Sequence, residues 1–117
     1  MAKRIYNAKI SKQLFDLAEF LAEREEVTRL VFTRRAIRHY MDDKKDVDAR
    51  ILITKRSDPN YIERGTLYSV LIDEEQKKQI EEVAKDKGCK TAQLFFFILL
   101  EYCTFLYSVD KTGIEIG

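Results

Sequence analysis

Lys3-Arg4-Ile5-Tyr6-Asn7-Ala8-Lys9-Ile10-Ser11 alternates in twos, and that period decides how the rest of the chain is read. Side chains of an extended strand point alternately to its two faces, so Tyr6, Ala8 and Ile10 share one face and Ile5, Asn7 and Lys9 the other. The first set suits a core. A single strand is not stable in water, so this one needs a mate, from the same chain or from a second copy.

Working outward, Ser11 is placed to cap a helix in which Leu14, Leu17, Ala18 and Leu21 recur at helical spacing. That helix should end near Glu26-Val27, where Thr28 offers the cap of a second helix over Arg29–Met41. Leu30, Phe32, Ala36, Ile37 and Tyr40 supply its apolar positions. Arg29, Arg34, Arg35 and Arg38 make it the most basic element, a solvated face with Glu23, Glu25 and Glu26 as the simplest partners.

Residues 1–43 thus read as one strand-helix-helix unit. Residues 44–64 read as a connector holding the only proline, in the turn Ser57-Asp58-Pro59-Asn60, and a short strand at Ala49–Thr54 rich in β-branched residues. Over 65–117 the order recurs: a strand at Thr66–Ile72, Asp73 as a cap, a helix over Glu74–Lys87 closed by Gly88, and a last helix capped by Thr91 and running to about Tyr107.

This repeated unit resembles the ribbon-helix-helix family, the Arc and MetJ type of DNA-binding repressor. The resemblance rests on the strand ending in Ile10-Ser11, a first helix of about fourteen residues, the Thr28 cap, and Ala36-Ile37-x-x-Tyr40; it covers Arg4–Met41 well and Thr66–Tyr102 more loosely. It implies a mostly α fold with short strands that pair antiparallel within a dimer or pseudo-dimer. The paired strands would enter the major groove of double-stranded DNA, as in a transcriptional regulator. The family's base-reading positions fall on Ile5, Asn7 and Lys9, whose side chains suit a thymine methyl, adenine and guanine. Its phosphate anchor falls on Thr28 and Arg29 at a helix start, with Lys3, Arg4 and Lys12 as added backbone contacts. In the second unit the matching positions are Leu67, Ser69 and Leu71, which offer few bonding groups; the alternative register exposes Tyr68, Val70 and Ile72.

Two pairings stay open: the two strands of one chain, or first strand with first strand across two chains. Residues 1–64 carry 15 basic against 11 acidic residues and 65–117 carry 6 against 9, which favours the second pairing and leaves the second unit for assembly. The run Leu94–Leu100 is apolar all round a helix, more than a two-layer domain of this size covers by itself. The expected oligomer core is therefore Tyr6, Ala8, Ile10, Phe95, Phe96 and Leu99, in a homodimer or higher assembly.

Other function classes have little to stand on. The chain holds one histidine, His39, with no Ser/His/Asp set, phosphate loop or acid cluster at metal spacing, and Cys89 with His39 makes only a remote nucleophile pair. No enzyme, metal, cofactor or small-molecule ligand is expected. Cys89 and Cys103 read as reduced, buried residues of a cytoplasmic protein, Met1-Ala2-Lys3-Arg4 is followed by no apolar signal segment, and Leu94–Tyr107 falls short of a bilayer span. The competing class is a protein-interaction or assembly module acting through the apolar second unit.

Overall fold

A computed structural model describes residues 3–116, with side chains described through Ser108. The element order is β1 (Lys3–Ile10), α1 (Lys12–Arg24), α2 (Arg29–Asp43), α3 (Ala49–Leu52), β2 (Thr66–Asp73), α4 (Glu74–Lys87) and α5 (Thr91–Ile116). The fold is mostly helical with a two-stranded antiparallel sheet. The two helices after β2 start 62 residues beyond those after β1, Glu74 against Lys12 and Thr91 against Arg29.

The ends of these elements follow local chemistry. Ser11 Oγ accepts the Leu14 N–H at 3.2 Å and Thr28 Oγ1 accepts the Val31 N–H at 3.2 Å. Asp73 stands at the corresponding cap of α4 without a side-chain bond, and Lys90, rather than Thr91, precedes α5, its N–H held by Gln93 Oε1 at 2.9 Å. Gly88 closes α4 with φ 70°, and the Cys89 N–H returns to the Ala84 carbonyl at 3.0 Å. The end of α1 has the same pattern, Val27 N–H to Ala22 O at 3.0 Å, but puts Glu26 in the left-handed region at φ 57°. Glu26→Gly is therefore expected to raise stability by about 0.5–1 kcal/mol, read as a higher midpoint in urea.

Within the chain β1 pairs with β2, Ile5 opposite Leu71, Asn7 opposite Ser69 and Lys9 opposite Leu67. This replaces the pairing of first strand with first strand that the charge balance favoured. The acids of the second half lie exposed on α4, and Glu74 binds Arg4 of the first, so they do not oppose the pairing. Tyr68, Val70 and Ile72 face inward beside Ala8 and Ile10, which excludes the register that would expose them.

Helix α5 is the centre of the packing and touches α1, α2, α3, α4 and β1. Leu94 to Leu99 are all 6% exposed or less. Ala8, Ile10, Phe95, Phe96 and Leu99, expected at an interface between copies, are buried within one chain, and half-buried Tyr6 packs its ring 4.9 Å from that of Phe95. The apolar run is covered because both units and the connector surround it. By length and composition Thr91–Ser108 is enough to cross a membrane, but half of that stretch lies inside the protein's own core.

The connector is built in rather than draped over the surface. Its Ala49–Leu52 segment is a helical turn, not the expected strand: Asp48 Oδ1 caps the Arg50 N–H at 2.9 Å, and Ile51 is fully buried beneath Gln93. Lys87 Nζ ties the connector's start to α4 by donating to Lys44 O at 2.6 Å and Asp46 at 2.8 Å.

Tyr68 makes the fold sensitive to strong base. Burial pushes its phenol up to about 12, against a partial opposing pull from the Thr33 hydroxyl and the Arg29 charge. The unfolded chain releases that proton near the ordinary value, so the contribution is complete below pH 10 and is lost as pH rises to 12. The loss is expected to be roughly 2–3 kcal/mol, with tyrosinate absorbance at this site appearing only as the protein unfolds.

Candidate nucleic-acid interface

The outer face of the ribbon is set by period two on both strands. Asn7 and Ser69 meet at its middle, where the Ser69 hydroxyl donates to Asn7 Oδ1 at 2.6 Å. The helix spacing of 62 residues also relates Asn7 to Ser69, so the antiparallel register sets these two corresponding positions opposite each other. Asn7 keeps its amide hydrogens and a second carbonyl lone pair for a ligand. On either side stand Ile5 with Leu71 and Lys9 with Leu67, the apolar members exposed by 68%, 45% and 54% in the order Ile5, Leu71, Leu67. The three sequence-chosen base readers thus share one exposed face, together with two leucines set aside as unable to bond.

The expected phosphate contacts fare differently. Arg29 Nε donates to Glu19 Oε1 at 3.0 Å and Nη2 closes on the same oxygen, while Nη1 donates to the Ser69 carbonyl of β2 at 3.0 Å. Its guanidinium also lies 5.1 Å from the Phe15 ring centre and 5.0 Å from that of Tyr68. These contacts make Arg29 a clamp between α1, α2 and β2, held by Glu19 rather than by the Glu23, Glu25 or Glu26 anticipated from spacing. Arg4 is paired with Glu74 and Lys12 with Asp16, and the Thr28 hydroxyl is used by its own helix. Lys3 is exposed opposite Asp73.

The other flank of the ribbon holds charge that sequence reading missed. Asn7, Ala8 and Lys9 of β1 line an open cavity of about 360 Å³ with Ile53, Thr54, Tyr61 and Arg64 of the connector and Lys90, Ala92 and Gln93 at the start of α5. Among the described residues three cations line it and no carboxylate does. The only available signal was the position of Lys90, which stands to α5 as Thr28 stands to α2. Nothing local foretold that the connector returns Tyr61 and Arg64 to the side of β1.

His39 lies against the rings of Phe105 and Tyr102, at 4.5 and 5.6 Å. Cys89 and Cys103 are both free, and burial pushes the Cys103 thiol up to about 12. Among the described residues no three His, Cys, Asp or Glu side chains gather at metal-binding distance. No protein-family model, curated protein or solved structure matches the chain.

Proposed function

We propose that the chain is a tandem ribbon-helix-helix protein of the cytoplasm that binds duplex DNA sequence-specifically through the β1–β2 ribbon, acting as a transcriptional regulator by occupying its site. The observation that carries this reading is the outer face of the ribbon: Asn7 and Ser69 at the centre, Lys9 to one side, and Ile5, Leu67 and Leu71 exposed beside them. A two-stranded ribbon fits the major groove, where Asn and Lys find bonding edges and apolar side chains meet thymine methyls. Since one chain supplies both strands, the reading needs no second copy to form the ribbon.

A second reading is favoured by the same three apolar side chains. A surface with Ile5, Leu67 and Leu71 together also suits a protein partner, and the chain would then be an interaction module that reads no DNA. Salt separates the two, since phosphate contacts release counterions and an apolar contact does not. After selection of a preferred duplex from a random pool, fluorescence anisotropy across a salt series is expected to show a steep fall in affinity. Asn7→Ala and Lys9→Ala are each expected to cost about 1–3 kcal/mol of discrimination against changed bases while leaving thermal unfolding as in wild type. If both variants discriminate as wild type does, the ribbon is not the reading surface.

A further inference from the structure

The two flanks of the ribbon are built alike and charged differently. Beside β2, the groove at the start of α2 is lined by Glu19, Glu23, Thr28 and Arg29, and Arg29 is already bound to Glu19. Two carboxylates against one neutralised guanidinium make that flank hostile to a phosphate. Beside β1, at the corresponding start of α5, Lys9, Arg64 and Lys90 surround a cavity with no carboxylate among the described residues of its lining.

Arg64 is the informative member. It is half-buried, and its Nε and Nη2 donate to the carbonyls of Ile62 and Ile53 at 3.1 and 2.9 Å. The guanidinium lies 5.3 Å from the Tyr61 ring centre and 5.6 Å from that of Phe96, so its position is fixed by packing. Among the described residues it has no carboxylate partner. Carbonyls and rings offset only part of the charge of a half-buried guanidinium, and an oxyanion entering the cavity would add the full counter-charge.

We infer that this cavity grips a phosphodiester of the DNA backbone through Arg64 and Lys90, beside the base-reading Lys9, while the flank at Arg29 does not, so the ribbon is anchored to duplex DNA from the β1 side alone. The inference rests on the DNA reading above and adds its asymmetry: the connector, which lies outside the repeated unit, supplies half of the anchor. Phosphate grip on one flank fixes which way round the pseudo-symmetric ribbon lies on its site, so the preferred sequence should be asymmetric rather than palindromic.

Two measurements on the full chain test it. Lys90→Gln, an exposed change that leaves the fold intact, and Arg64→Gln are each expected to weaken binding of the selected duplex roughly five- to tenfold at physiological salt. Each should also lower the slope of log affinity against log salt by about one unit, equally for preferred and scrambled sequences. Arg38→Gln, on the exposed side of α2, is expected to do neither. In parallel, titration of the wild-type protein with inorganic phosphate, followed by amide chemical shifts, should move Lys9, Tyr61, Arg64 and Lys90 and leave Thr28 and Arg29 in place. Sequence-dependent duplex binding with an unchanged slope in both variants overturns the one-sided anchor while the DNA reading stands. Phosphate shifts at the cavity without duplex binding sink the DNA reading, and with it the assignment of a phosphodiester, while showing that the anion site exists.

Discussion

Phe95→Ala is expected to destabilise the protein by about 3–5 kcal/mol, the range for deleting a buried aromatic ring, and by the same amount at every protein concentration. Phe95 is fully buried and lies beneath both strands, its ring 4.9 Å from that of Tyr6 in β1 and 5.9 Å from that of Tyr68 in β2. Removing it leaves a cavity where the ribbon rests on α5, and neither strand can move to fill it without breaking the pairing at Tyr6–Val70 and Ala8–Tyr68. A domain of this size has roughly 5–15 kcal/mol of stability, so the variant should melt roughly 10–20 °C lower. Its concentration dependence decides what kind of core this is. In an interface between copies, the midpoint would rise with protein concentration and the variant would shift the mass in solution. A concentration-dependent midpoint in wild type would show that the ring's burial inside one chain is not the whole of its role.

The ring's surroundings also show what the sequence could and could not reveal. The alternation over Lys3–Ile10 and Thr66–Asp73, the caps at Ser11 and Thr28 and the glycine at 88 are local signals, and each element they mark is present. The segment at Ala49–Leu52 misled because Ile51, Leu52 and Ile53 favour a strand when read alone. Tertiary packing outweighs that preference, since a helical turn seats Ile51 against α5 and lets Asp48 cap it. The choice of mate for β1 lay beyond local signals. Half-chain charge totals do not record that the acids of α4 face solvent, and helical periodicity does not record that five elements pack against α5. The outward face of Ile5, Asn7 and Lys9 was legible because a strand's period is rigid. The partners of the charges on its flanks were not, because they lie far along the chain: Glu19 for Arg29, ten residues away, and Glu74 for Arg4, seventy away.

Arg29 is where that distinction produces a measurable difference. As a clamp it holds α1 through Glu19, β2 through the Ser69 carbonyl, and the rings of Phe15 and Tyr68, with its own side chain only 35% exposed. Arg29→Met keeps the length of the side chain and removes the charge and all five N–H donors. The Glu19 carboxylate it abandons is 48% exposed and returns to water at little cost, so the loss is set by the Ser69 bond and the two ring contacts. These sum to about 2.5–5 kcal/mol, since a charged donor to a part-buried acceptor contributes roughly 1.5–3 and each of the two partly exposed ring contacts adds of order 0.5–1. Arg29→Lys should fall between, because a point charge cannot serve a carboxylate and a carbonyl with a planar fork. Thermal melting and a duplex salt series together identify the role. A clamp gives a lower melting temperature and an unchanged salt slope at temperatures where the variant is folded, whereas a phosphate anchor gives the reverse. A slope reduced by about one unit with unaltered melting would return Arg29 to the DNA-binding surface and make both flanks of the ribbon grip the backbone.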